Sequence, residues 1–222
     1  VHSMLCAPVG FNSLGSEVIV ADSDGGLFAF SENGGQLVWQ GQVAGLTAVA
    51  LEHHMFGVQQ LVVADCAGVV AALAPKETWR VNVTELFGGS AANRVSGRRR
   101  TPRCMHSVTV CDVDSGQKSR YLLVACTTKE LLVMSEGSVM LRVPTPTIIN
   151  AICAGNFFDS REGKYDSKQG ASLNVGRCDA VLLGGQDGIV YKLVNWELVP
   201  VVDVGAPLTS LFAIPRPEPC QA

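Results

Sequence analysis

Short apolar runs alternate along this chain with clusters of Gly, Asp, Asn and Ser. The clearest case lies between Asp179 and Leu193. Ala180 to Leu183 is apolar, Gly184 to Gly188 supplies an Asp-Gly turn, and Ile189, Tyr191 and Leu193 alternate with Val190 and Lys192. Period-two alternation on either side of a turn predicts a β-hairpin. The same hairpin recurs upstream at Glu17–Ala21 with Leu27–Phe30, at Gln60–Ala64 with Val69–Leu73, and at Tyr121–Cys126 with Leu131–Met134. A strand precedes each one, at Met4–Ala7, Leu46–Leu51, Met105–Val110 and Ile148–Ala154. Another follows each, at Gln36–Gln40, Thr78–Val81, Val139–Val143 and Leu198–Val202. Leu208–Ile214 reads as the first strand of a fifth unit.

Anchored at Gly25, Gly68, Glu130 and Gly188, the hairpin turns are 43, 62 and 58 residues apart. The first spacing is that of a propeller blade. Two insertions rich in Gly, Ser and charge, over 84–103 and 159–177, account for the longer ones, and both read as surface loops. Four short strands per unit, with the pattern inside the unit itself repeating, favour an all-β fold of the β-propeller type over a β-sandwich. The expected blades are 3–44, 45–104, 105–147 and 148–207, with the next beginning at 208–214. Four blades and a fraction leave open edges. The expectation is therefore part of a larger propeller, its edges covered by further blades or another chain.

Composition narrows the function. Of 222 residues, 47% are hydrophobic and only 17% charged, with mean hydropathy +0.25, which points to a normally covered surface. A net charge of -3 gives no general bias towards nucleic acid. No apolar run approaches the roughly 18 residues of a membrane span. The start, Val1-His-Ser-Met-Leu-Cys6, has neither an initiator Met nor a signal-peptide pattern, and reads as a segment of a longer, intracellular protein. Eight cysteines fall mostly in apolar strand patterns without C-x-x-C or zinc spacing, which favours reduced thiols over a disulfide framework.

The blades lack WD40 signatures. Val110-Cys-Asp-Val-Asp-Ser-Gly116 followed by Tyr121-Leu-Leu-Val-Ala125 resembles the FG-GAP blades of integrin-alpha-like propellers, as does Glu17-Val-Ile-Val-Ala-Asp-Ser-Asp-Gly25. Ile149–Gly155 and Tyr191–Leu198 are similar to late blades of the FG-GAP repeat protein of the KICSTOR nutrient-signalling scaffold. Lys129–Met134 and Val139–Pro144 resemble blades of the propeller subunits of the ciliary Bardet–Biedl complex, the BBSome. The resemblance implies an intracellular scaffold, cytoplasmic or cilium-associated, whose partners are other protein subunits. Its integrin side implies a calcium-dependent adhesion or ligand-binding propeller as the alternative.

Candidate chemistry is sparse. Asp112 and Asp114, with Gly116, are the best placed for calcium, but Lys118 and Arg120 stand where a later carboxylate is needed, so an Asx-type turn is preferred and no cofactor is expected. Asp22, Asp24 and Asp187 read as turn residues. Arg94, Arg98, Arg99, Arg100 and Arg103 gather positive charge in one insertion. That is either a solvated loop or a docking segment for an acidic partner, with Thr101 a modifiable neighbour. No aromatic residue interleaves them, so nucleic-acid binding is not expected. His53-His54 lack a third ligand. His106, Ser107 and Asp112 lie near one another in sequence, but residues alternating on a strand point to opposite faces. With no nucleophile elbow or P-loop, the reading is a non-enzymatic protein-interaction module. A propeller hydrolase or lyase ranks last.

Overall fold

The structure is a computed structural model that describes residues 3–7, 9, 11, 16–33, 35–53, 59–74, 76–85, 99–111, 118–155 and 180–212. Within these, sixteen strands form four antiparallel sheets, each a meander in which consecutive strands are neighbours. The first sheet holds β1 (Ser3–Ala7), β2 (Glu17–Ala21), β3 (Gly26–Ser31) and β4 (Leu37–Gln42). The second holds β5 (Leu46–His53), β6 (Gln59–Asp65), β7 (Val69–Leu73) and β8 (Glu77–Asn82). The third holds β9 (Pro102–Cys111), β10 (Lys118–Cys126), β11 (Glu130–Ser135) and β12 (Ser138–Pro144). The fourth holds β13 (Ile149–Gly155), β14 (Ala180–Gly185), β15 (Ile189–Val194) and β16 (Glu197–Asp203). The chain is an all-β propeller of four-stranded blades.

Turn chemistry fixes each blade's register. The central hairpin of each blade turns through one left-handed residue: Gly25 (φ 86°), Gly68 (φ 90°), Lys129 (φ 59°) and Gly188 (φ 86°). The third anchor is therefore Lys129, not Glu130, which begins β11. The carbonyl of each turn residue accepts the amide of the residue after the outer strand: Val43, Val83, Thr145 and Val204. In the first two blades Asp22 and Asp65 close the turn as Asx motifs. Asp22 Oδ1 accepts the amides of Asp24 and Gly26, and Asp65 Oδ1 those of Ala67 and Val69. The outer hairpins of the last two blades turn on two left-handed residues each, Glu136-Gly137 and Asn195-Trp196, the geometry that matches strand twist.

Alternation along the strands divides the core into three seams, one between each pair of consecutive blades. On β6, Leu61 and Val63 face the first blade, while Val62 and Ala64 face the third. On β10, Leu122 and Val124 face the second blade, while Leu123 and Ala125 face the fourth. Strands buried on both faces carry continuous apolar runs for this reason. Strand β9 lies against both β5 and β13, so the first strands of the second to fourth blades line one side of the stack. Residues 207–212 carry no strand. They lie along the last blade instead: the Leu208 amide donates to Gly185 O at 3.1 Å, Asn150 Nδ2 donates to Leu208 O, and Leu208 and Leu211 cover Gly184.

Candidate protein-interaction surfaces

The sequence-derived sites fare differently. Asp112 and Asp114 lie outside the described residues, as do Arg94 and Arg98. Among the described residues no group of three or more His, Cys, Asp or Glu side chains could hold a metal ion. Asp187 serves its turn: Oδ1 accepts the Ile189 amide, and Oδ2 accepts the Tyr191 hydroxyl at 2.6 Å.

The remaining arginines lie on a segment stitched between the central turns of the second and third blades. Thr101 Oγ1 donates to Cys66 O, Thr127 Oγ1 to Arg99 O, and Thr84 Oγ1 to Arg100 O. The Thr101 and Thr127 backbones also pair, Thr127 N donating to Thr101 O at 3.0 Å. Arg100 Nε donates to Glu130 Oε2 at 2.7 Å, with both side chains only 16% exposed. Arg142 contacts the other oxygen of Glu130, and Thr128 Oγ1 adds a third bond. Burial opposes ionisation of Glu130, but the bonds from Arg100, Arg142 and Thr128 outweigh it and hold the carboxyl below its usual range. Arg100 is thus tied into the fold. Arg103 is exposed and donates to Asn150 Oδ1 at 3.2 Å; Arg99 is exposed too. The sequence could not separate these three, because what decides is the partner thirty positions away.

Two larger apolar surfaces were not singled out from the sequence. On the first blade, Val20 and Phe28 are cross-strand partners, as are Val18 and Phe30, and the alternation places all four on the face turned away from the second blade. Phe28 and Phe30 stack with centroids 6.5 Å apart; Met4, aligned with Val20, is 68% exposed. On the last blade, Val199, Val201, Val202 and Val204 are each about half exposed on and just beyond β16, and Phe212 is 78% exposed. On the first blade Met4 is exposed and Val18, Val20, Phe28 and Phe30 are half-buried; apolar area of this kind, on a blade face with no blade against it among the described residues, marks contact surface. The signal was available in the alternation of β2 and β3, whose two faces are both apolar. The five cysteines whose side chains are described are free thiols, and burial pushes Cys104 and Cys126 up to about 12, away from reactivity.

No family model matches the chain, and no curated protein matches it in sequence. Among solved structures it is similar to BBS1N in complex with ARL6DN. For a lead-soaked crystal the TM-score is 0.58 at 14% identity, over 88% of this chain and 51% of that one. For a mercury-soaked crystal the TM-score is again 0.58, at 15% identity and the same coverage. The chain thus spans about half the length of the solved chains it matches. Among the described residues no helix is long and apolar enough to cross a membrane. At such identity the likeness shows fold alone, and it agrees with the sheet order and the three seams: the chain is built as a β-propeller.

Proposed function

We propose that this chain is a non-catalytic protein-interaction propeller, a module of a multi-subunit assembly of the ciliary-trafficking, Bardet–Biedl type. The observation that carries the reading is the pair of apolar faces at the two ends of the blade stack, Phe28 with Phe30 at one end and Val199 to Val204 at the other. The fold likeness to BBS1N, which is seen in complex with ARL6DN, supports the ciliary resemblance over the nutrient-signalling one. Its mechanism is presentation of shape. Blade faces and edges bind other subunits, and no side chain does covalent chemistry. The reading places the chain beside the cilium, with protein partners and no cofactor. The test is association of the chain with BBS-type subunits and with ARL6, followed by light scattering and by calorimetry. A stable complex that Phe28→Ser with Phe30→Ser weakens at least tenfold is the expected result. A chain that stays monomeric in every mixture overturns it.

A further inference from the structure

The seam between the first and second blades carries a cleft on its outer side. The cleft measures about 230 Å³; Trp39, Val43, Val69 and Leu73 form its accessible apolar lining, over a buried base of Leu27, Val63 and Ala71. Its origin lies in two aligned positions. Gly41 and Ala71 stand where Val81 and Leu132 fill the next seam, and where Val143 and Tyr191 fill the last. The alignment follows from the strand registers, Gly41 opposite Leu27, Val81 opposite Val70 and Val143 opposite Leu131, and from the shared bond to each turn carbonyl.

The wall of the cleft is set in advance. Phe11 stacks on the Trp39 indole, with centroids 4.5 Å apart and planes within 8°. That indole lies over Gly41, where an added Cβ would stand 2.6 Å from Cη2. Glycine at 41 is thus required by the ring, and the ring holds the space open. Flanking the cleft are β4 and β8, both edge strands of their sheets. Its polar lining is Gln42, Asp65, Glu77 and Arg80, of which the last three are charged. Arg80 is bound by Glu77 through a fork whose shortest contact is 2.7 Å, which leaves the Asp65 charge in excess.

We propose that this cleft receives one large apolar side chain of a partner protein segment, followed directly by lysine or arginine. The volume suits a single leucine- to tryptophan-sized group with its rim only partly enclosed, the apolar lining supplies aliphatic and aromatic contact, and the net acidic lining selects the adjacent cation. The proposal rests on the protein-interaction reading but concerns a different surface from the end faces.

The test is a titration of the full chain with N-acetyl-Leu-Lys-amide, read by NMR from the Trp39 indole N–H, assigned with Trp39→Phe. A saturable shift is expected, absent with N-acetyl-Gly-Lys-amide and at least threefold weaker in affinity with N-acetyl-Leu-Glu-amide. Ala71→Leu fills the cleft as Leu132 fills the next seam. It should weaken binding at least tenfold while leaving the melting temperature unchanged or raised, so lost binding cannot be lost folding. No saturable shift in the wild type, equal response to the glycine peptide, preference for the glutamate peptide, or full binding by Ala71→Leu each overturns the proposal. Subunit association is measured on the same Ala71→Leu protein. If association fails in the wild type while the titration succeeds, the assembly reading falls and the cleft stands; the reverse pattern sinks the cleft alone.

Discussion

The first two seams of this propeller are built on the same backbone and close differently. Between the second and third blades, Leu132 and Met134 are fully buried among Ala48, Val62, Ala64 and Val70. The outer end is shut by the Glu136-Gly137 turn, which lies on the Trp79 indole. Between the first and second blades the equivalent Trp39 is covered by Phe11 instead, and smaller side chains face one another across the gap. In both, consecutive strands pair as a meander and each central turn's carbonyl accepts the amide that follows the outer strand. Backbone pairing therefore sets the blade, whereas side-chain volume at two positions decides whether a seam becomes core or cleft.

The sharpest way to break this comparison is to open the closed seam. Leu132→Ala makes the second seam resemble the first at one position, but here the side chain is fully buried. A loss of about 2–5 kcal/mol is expected from the transfer and cavity terms, read as a fall in denaturant midpoint with unchanged slope. A loss near zero would mean the second seam is as slack as the first.

The closed seam also buries a carboxyl whose protonation depends on pH. Glu52 is buried beside Gln60, whose amide donates to Oε2 at 3.2 Å and whose own oxygen accepts from Thr78. Burial pushes the Glu52 carboxyl up to about 7; the Gln60 bond opposes the rise and the Glu136 carboxylate adds to it. A folded-state value above the unfolded one means the native protein holds the extra proton. Stability is then greatest below about pH 4.5 for this group and falls as pH rises towards 7. Glu52→Gln should remove that decline, worth on the order of 1–2 kcal/mol after allowance for solvent, as seen in melts across the window. A decline of equal size in the variant would assign it to another group.

Much of the architecture is legible from the sequence, because a period of two and an Asp-Gly turn are local signals. Strands β2 and β7 coincide with the runs Glu17–Ala21 and Val69–Leu73. The third turn carries no such signal: Lys129 adopts the left-handed conformation without glycine, so nothing local separates it from Glu130. The third blade begins at Pro102 rather than Met105, since Pro102–Cys104 continue a strand that no apolar alternation announces. The surfaces were less legible than the strands. That Arg100 is held by Glu130 and Arg142 is a tertiary fact, and a cleft made by Gly41 opposite Ala71 is invisible until registers are known.

A smaller effect tests the lid of the closed seam. Gly137 has φ 79°, and an added Cβ would stand 3.1 Å from the Trp79 ring. Gly137→Ala should cost about 1 kcal/mol through left-handed strain, with a shift in Trp79 fluorescence. An unchanged spectrum and midpoint would show that the turn does not rest on the indole.

The smallest effect is expected at the open seam. Glu77 and Arg80 are joined by a forked ion pair, yet their side chains remain 42% and 60% exposed. The Arg80 bond holds the Glu77 carboxyl below its usual range, but water screens an exposed pair and ordering two long side chains offsets the attraction. Glu77→Gln should therefore leave the denaturant midpoint where it was. Its consequence lies in recognition. Removing that carboxylate frees Arg80 and turns the lining of the cleft from net acidic to neutral, so the advantage of N-acetyl-Leu-Lys-amide over N-acetyl-Leu-Glu-amide should shrink or vanish. A midpoint that drops with Leu132→Ala and stays fixed with Glu77→Gln, while peptide preference responds only to the latter, would separate the seam that stabilises the fold from the seam that reads a partner.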